Sequence, residues 1–471
     1  MEGYQQVQEL IKDLRMNKAN TELVIEYLKR LNNLANETND SIHQSIRENS
    51  AIRVILSIIQ GHAGNQVVVE KAFGALRSIA SSKINWDLLG IEGVFVVAKQ
   101  FLDLDRGNEK VVGNILGLFW NSSLGDVNWR QISGTGTIRS ILNAFSFFEH
   151  AELRFRAIQS FIGFSNSKDL SKEIIDEGGV SLILKALQYS TQEDTKLLDV
   201  ILTLFNNLSI DDVNCIILGT SGVIEFVLQI LHGKNRNNEK FILKCFGVLG
   251  NLACNVLNNE LLIQRGCLND GIEILQQPVR VSNRELIEKV MLLFANLSIS
   301  DHFTKEIQSI SGFEKIVAIM KKTVRYETIQ KRLLAVLINL TTNQTAQVLL
   351  YDNGIIPPLL TTTISYLTKP EIMQRALNVL YHLSQNEKAN DAIGVEGGIG
   401  LIFQNLKKYK NNQDIVDLSA LALVNLSTNP DNRKRILRHD GENVLKGLMN
   451  PYSNENDIYQ NILKVLNNLQ L

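Results

Sequence analysis

Proline is scarce in this chain, with 6 in 471 residues, and glycine contributes only 30. That leaves no Pro- or Gly-rich stretch to serve as a long linker or low-complexity tail. An excess of either charge is also missing: 48 basic residues face 49 acidic ones, for a formal net charge of -1. A dedicated nucleic-acid or membrane-surface binder carries a large basic excess, so neither partner is expected. No apolar run is long enough to span a bilayer, which excludes membrane insertion. Met1-Glu2-Gly3-Tyr4 leads into a polar helical pattern, without the apolar segment of a signal peptide and without a myristoylation site. Asn468-Leu469-Gln470-Leu471 matches no retention or prenylation signal. The four cysteines, Cys215, Cys245, Cys254 and Cys267, show no Cys-x-x-Cys spacing. They read as small buried hydrophobes in a reducing compartment, and the expected location is the cytoplasm.

Signs of catalysis are missing too. The seven histidines are scattered, with no His-x-x-x-His or His-x-Glu pairing to hold a metal. There is no Gly-x-x-x-x-Gly-Lys-Ser/Thr phosphate loop and no Gly-x-Ser-x-Gly nucleophile turn; Gly134-Thr135-Gly136 reads as a helix corner. No metal, no cofactor and no enzymatic activity are expected.

What the chain does have is a period. An apolar helix ending in Leu-x-Asn-Leu-Ser, or a close variant, returns eleven times. Its central polar position falls at Asn33, Ser78, Asn121, Gly163, Asn207, Asn251, Asn296, Asn339, His382, Asn425 and Asn468, at intervals of 42 to 45 residues. Asn-x-Ser/Thr sequons at Asn207, Asn296, Asn339 and Asn425 are by-products of this phrase. A second marker keeps the same period: glycine at Gly93, Gly136, Gly179, Gly222, Gly266, Gly312, Gly354, Gly398 and Gly441. Glycine suits a sharp break between helices because it reaches positive φ without a Cβ clash. Each period therefore reads as a short helix, a glycine corner, a second helix, a polar loop and a longer third helix. In one unit these are 211–218, Gly222, 223–231, 233–238 and 239–252. Apolar residues recur at i, i+3, i+4 and i+7, as packed amphipathic helices require. Pro357-Pro358 sits just inside a second helix, where the missing N–H costs little.

Three helices per repeat, a glycine between the first two and Asn near the end of the third resemble the armadillo repeat. Gly-Gly-Val at 178–180, Gly-Gly-Ile at 397–399 and Gly-Ile-Ile-Pro at 354–357 look like that family's glycine corner. The resemblance covers nearly the whole chain and implies an all-α, right-handed solenoid of about eleven repeats. The chain then reads as a single domain over 1–471. Residues 1–48 are a partial, polar capping repeat without its first helix, 49–455 are stacked repeats, and 456–471 form a terminal third helix. Its outer face is solvated by Asn461, Lys464, Asn467 and Asn468, or covered by a partner.

The resemblance further implies that third helices line a concave groove, where each Asn hydrogen-bonds the main chain of an extended peptide. An amide offers both donor and acceptor, which matches the alternating needs of such a backbone. Asn207, Asn251, Asn296, Asn339 and Asn425 fit best, while Ser78, Gly163 and His382 interrupt the series. The other reading is that these amides cap their own helix or bond a neighbouring loop. Seven residues earlier, two turns back on the same face, stand Lys71, Arg156, Lys244, Lys289, Arg332 and Arg375. This stripe suits an acidic segment, or else is a solvated face balanced locally by Glu288, Asp199 and Asp417. A basic cluster, Lys321-Lys322-Thr323-Val324-Arg325 with Lys331-Arg332, admits the same two readings.

Nuclear-import adaptors of the family place Trp four residues before the groove Asn. Here those places hold Gly74, Gly117, Gln159, Thr203, Gly247, Leu292, Ala335, Asn378 and Leu421, so that function is not expected. The lipidated N-terminal cysteines of vacuolar armadillo proteins are missing as well. Trp86, Trp120 and Trp129 cluster in the second and third units, as a local hot spot or as buried packing. The expected function is a non-enzymatic scaffold that binds extended or helical protein segments within a hetero-complex, of cytoskeletal or ciliary type. Small-GTPase regulation through the basic stripe of units six to nine, or organelle and vesicle tethering, are the alternatives.

Overall fold

A computed structural model describes residues 2–37, 39–104, 108–188, 194–277 and 280–470. Among these there are 32 α-helices, two short 3-10 turns and no strand. Contacts divide the chain into two compact units, Met1–Val248 and Leu249–Leu471.

The repeat read from the sequence is the building block. Asp212–Thr220, Val223–His232 and Glu239–Leu252 are the three helices expected at that place, with Gly222 between the first two at φ +91°. Short polar residues start the helices. Asn65, Asn108 and Asp194 each accept from two backbone N–H groups at the head of a third helix, and Asp211 and Asn429 do so for first helices. Those groups have no partner inside the helix, so each cap is worth about 1 kcal/mol.

Third helices stack side by side. In the first unit Thr21–Ala35, Gln66–Ile79, Glu109–Ser122, Ala151–Phe164 and Thr195–Leu208 pack in that order. In the second, Arg284–Leu297, Glu327–Thr341, Pro370–Leu383, Gln413–Leu426 and Asn456–Asn468 do the same. The residue two places before each phrase's polar position is their common core contact. It is Leu31, Leu76, Phe119, Phe161 and Phe205 in the first unit and Phe294, Leu337, Leu380, Leu423 and Leu466 in the second, all buried. Each such burial contributes roughly 1.5–3 kcal/mol against exposure.

Several corners differ from expectation. Gly93, Gly136, Gly222, Gly266 and Gly354 do take positive φ. In four other repeats the left-handed residue is the one before the predicted glycine: Gly178, Ser311, Gly397 and Asp440. The following Gly179, Gly312, Gly398 and Gly441 begin the second helix. There a Cβ would lie 2.6 to 3.0 Å from the carbonyl oxygen of Ile174, Ile307, Ile393 or Ile436. These glycines answer to a close approach, not to a backbone angle.

At the N-terminal end, Glu2–Met16 and Thr21–Ala35 form the two-helix partial repeat. Asp40–Glu48, which the sequence reading grouped with it, opens the next triplet with Ala51–Gly61 and Gln66–Ile79. The terminal helix runs Asn456–Asn468; Met1 and Leu471 lie outside the described residues. Cys215, Cys245 and Cys267 are buried as expected, whereas Cys254, in the turn after its third helix, is exposed. No single described helix is long and apolar enough to cross a membrane.

Candidate functional site

The site expected from the sequence lies on the third helices, and all nine residues read as its members are half-buried there. Four consecutive third helices of the second unit carry six of them. Arg284–Leu297 carries Lys289 and Asn296, Glu327–Thr341 carries Arg332 and Asn339, Pro370–Leu383 carries Arg375, and Gln413–Leu426 carries Asn425. Asn207 ends Thr195–Leu208 in the first unit, and Lys244 and Asn251 belong to Glu239–Leu252.

The asparagine amides turn their N–H groups toward the preceding repeat. Asn207 Nδ2 donates to Ser165 Oγ (3.0 Å), Asn339 to Ser298 Oγ (2.8 Å), and Asn425 to Ser384 Oγ (3.0 Å) and the Tyr381 carbonyl (3.3 Å). Asn468 reaches Ser427 Oγ at 2.9 Å in the same way. Asn296 donates to the Gly250 carbonyl at 2.9 Å and Asn121 to that of Arg77 at 2.8 Å. The recurring phrase is thus self-complementary: the Asn of one repeat bonds the Ser, or the carbonyl just before the Asn, of the repeat before it. The amide oxygens of Asn207, Asn296, Asn339 and Asn425 take no protein donor among the described residues. Of the donor and acceptor that a peptide ladder would use, the acceptor remains available.

Basic residues of the stripe follow the same rule one rung back. Arg156 Nη1 donates to the Gly113 carbonyl (2.7 Å), Lys244 Nζ to that of Asp199 (3.0 Å), Arg375 Nη1 to that of Lys331 (3.3 Å), and Arg332 to that of Glu288. Burial pulls the Arg332 guanidinium below its ordinary pKa, against the opposing charge of Glu288. Asp199 is also partly buried, which would raise its carboxyl. Its bonds from Lys240 (2.9 Å) and Lys244 (2.6 Å) outweigh this and hold it below the usual range. Lys289 has no ion-pair or hydrogen-bond partner among the described residues. Within the predicted basic cluster, Lys331 pairs with Glu327 (3.1 Å) and Glu371 (2.7 Å), and Arg325 lies over the Tyr326 ring.

Between the asparagine and basic rungs runs an apolar strip. Positions one and four before the polar position hold Leu292, Ala295, Ala335, Ile338, Tyr381, Leu421 and Val424, with Asn378 as the one polar interruption, every one half-exposed. At the site of the missing asparagine, His382 lies 4.8 Å from the Tyr381 ring, and burial lowers its pKa.

A second set of amides escaped the sequence reading. On first helices, Asn128, Asn258, Gln347 and Asn390 are buried, and each donates to the carbonyl six residues before it, at the end of the preceding third helix (2.8–3.1 Å). Trp86 and Trp129 make the same bond through Nε1 to Ala80 and Ser123. They are structural donors, while Trp120 is 38% exposed and stands edge-on to Phe155. The 43-residue spacing between Trp86 and Trp129 carried this signal.

Because those amides hold neighbouring repeats together, Asn296→Ala combined with Asn339→Ala is expected to cost about 1 kcal/mol for each lost bond. A urea titration of the double variant checks this through a lowered midpoint.

The fold defines a helical-repeat solenoid. No protein-family model matches the sequence, and no curated protein matches it either. Among solved structures, one similar chain comes from a study of a phosphorylation switch in the interaction between cadherin and beta-catenin. It superposes with a TM-score of 0.78 at 16% identity, covering 100% of this chain and 96% of that one. An engineered protein matches with a TM-score of 0.67 at 18% identity, over 99% of both chains. At these identities the likeness is one of fold, and the chain is an all-α helical-repeat solenoid of the kind seen in those structures.

Proposed function

We propose that this protein is a non-enzymatic scaffold that holds an extended segment of another protein along its third-helix face. The observation that supports this most is the apolar strip Leu292–Ala295–Ala335–Ile338–Tyr381–Leu421–Val424, half-exposed across four stacked helices and edged by Asn296, Asn339 and Asn425, whose amide oxygens take no protein donor among the described residues. Apolar side chains of a segment lose water against the strip, while its main-chain N–H groups meet the oxygens of Asn296, Asn339 and Asn425. The beta-catenin-related neighbour comes from work on partner binding, which agrees with this reading. A place within a cytoplasmic hetero-complex of cytoskeletal or ciliary type is part of the proposal. Regulation of a GTPase through the basic stripe is less favoured, since Lys244, Arg332 and Arg375 direct their donors into the neighbouring repeat.

Affinity purification from the native cell, with wild type and Ile338→Asp in parallel, tests the proposal. An aspartate in the middle of the strip must be desolvated on binding, so the specific partner is expected to fall about tenfold in yield, roughly 1.4 kcal/mol. Melting temperature should barely move, because Ile338 is on the surface of the stack. Equal recovery with both chains would remove the strip from the function. Tubulin-associated or axonemal partners support the assembly named here; a single GTPase whose exchange rate changes would replace it.

A further inference from the structure

Arg77 stands one place before the polar position of its repeat, in the last turn of Gln66–Ile79, and is half-buried. Its stem lies across Gly117 of the next third helix: a Cβ there would be 2.6 Å from Arg77 Cδ and 3.8 Å from Arg156 Nη1. Unlike Arg156, whose guanidinium bonds the Gly113 carbonyl (2.7 Å) and Glu152 (2.8 Å), that of Arg77 has no hydrogen-bond or ion-pair partner among the described residues. Burial lowers its pKa, and the like charge of Arg156 adds to the effect against Glu152. A partly desolvated cation without a partner is costly to keep, and an anion placed beside it recovers that cost.

Space for one is present. Arg77, Glu70 and Asn114 line both of two adjoining clefts, of about 230 and 300 Å³. The basic groups around them are Lys29, Lys71, Arg77, Lys110 and Arg156; the acidic ones are Glu70, Glu109 and Glu152. Glu70 is taken by Lys71 (2.6 Å) and Glu152 by Arg156, so the balance that remains is positive and centred on Arg77. Gly74 and Gly113 line the clefts without a side chain, and Gly117 leaves room for the Arg77 stem.

We infer that this cleft is a docking pocket for a single carboxylate, an Asp or Glu side chain on an extended segment of a partner protein, gripped by the Arg77 guanidinium. Five basic groups exceed three acidic ones by two, and the one unpaired guanidinium among them, that of Arg77, offers a single bidentate grip that one carboxylate fills. A dianionic phosphate would face three carboxylates at the rim, which favours the side-chain carboxylate over a free anion. The inference deepens the proposed scaffold function and rests on it, but the pocket belongs to the first unit and the Ile338 strip to the second.

The test uses the full chain with end-blocked (Glu-Ala)4 and (Gln-Ala)4 peptides carrying a fluorophore, and inorganic phosphate as competitor. The acidic peptide is expected to bind about tenfold more tightly than the neutral one. Arg77→Met keeps the stem over Gly117 and should bring the two peptides to equal affinity. Gly117→Ala favours the helix, so the fold holds, yet it displaces Arg77 and should weaken the acidic peptide several-fold. An unchanged preference in Arg77→Met overturns the pocket. Displacement of the peptide by phosphate at equal or lower concentration overturns the choice of a side-chain carboxylate. Absence of any acidic preference in the wild-type chain also overturns the pocket, and leaves the strip reading to be decided by Ile338→Asp alone.

Discussion

Phe294→Ala is expected to lower the stability of the second unit by about 3–5 kcal/mol, the range for emptying a fully enclosed aromatic site. Phe294 is 0% exposed and packs against the second helix of its own repeat and the first helix of the next. Its ring edge lies where a Cβ on Gly271 would be only 2.5 Å away, and it stands 6.1 Å edge-to-face from Phe303. The glycine has been shaped to the ring, so no neighbouring side chain can fold into the space that alanine leaves. Urea unfolding should show a strongly reduced midpoint for this variant, with Phe294→Leu losing much less. Equal midpoints for Phe294→Ala and wild type would mean that this layer of the stack collapses freely.

Gly163→Asn should also destabilise, by roughly 3 kcal/mol, toward the upper end of the cost of overpacking. In the sequence Gly163 merely interrupts the Asn series. The geometry shows why asparagine does not fit there. Ser123 of the preceding repeat presses so close that a Cβ on Gly163 would fall 1.8 Å from its Oγ and 3.0 Å from its backbone carbon. Elsewhere the same serine position is bridged from a distance by asparagine, as in Asn207 to Ser165 and Asn339 to Ser298. Here glycine allows direct contact in place of the bridge. Thermal melts of Gly163→Asn and Gly163→Ala should both shift down, and a gain in either would contradict the close approach.

The corners at Gly222 and Gly266 and the helices around them were legible because they follow from local rules. A residue at positive φ, an Asn or Asp accepting from backbone N–H groups and an apolar residue every third or fourth place are all written within one repeat. The corner at Asp440 was misplaced by one because a glycine can be required either for its backbone angle or for lack of a side chain, and sequence alone does not separate the two. The site was less legible. Asn339 and Arg332 were found at the right helical spacing, yet their partners lie 41 and 44 residues earlier, on another helix. Arg77 drew no attention, since neither its burial nor its lack of an acceptor is encoded near it.

Periodicity therefore determined, by itself, that the chain is a stack of three-helix repeats, for hydrophobic spacing is a property of one helix at a time. Which polar residues hold the stack together and which remain for a partner was decided by the tertiary structure. Asn296 spends its N–H on Gly250, Arg332 its guanidinium on Glu288, and Arg77 spends nothing, because only the packing of one third helix on the next brings a donor within reach of an acceptor.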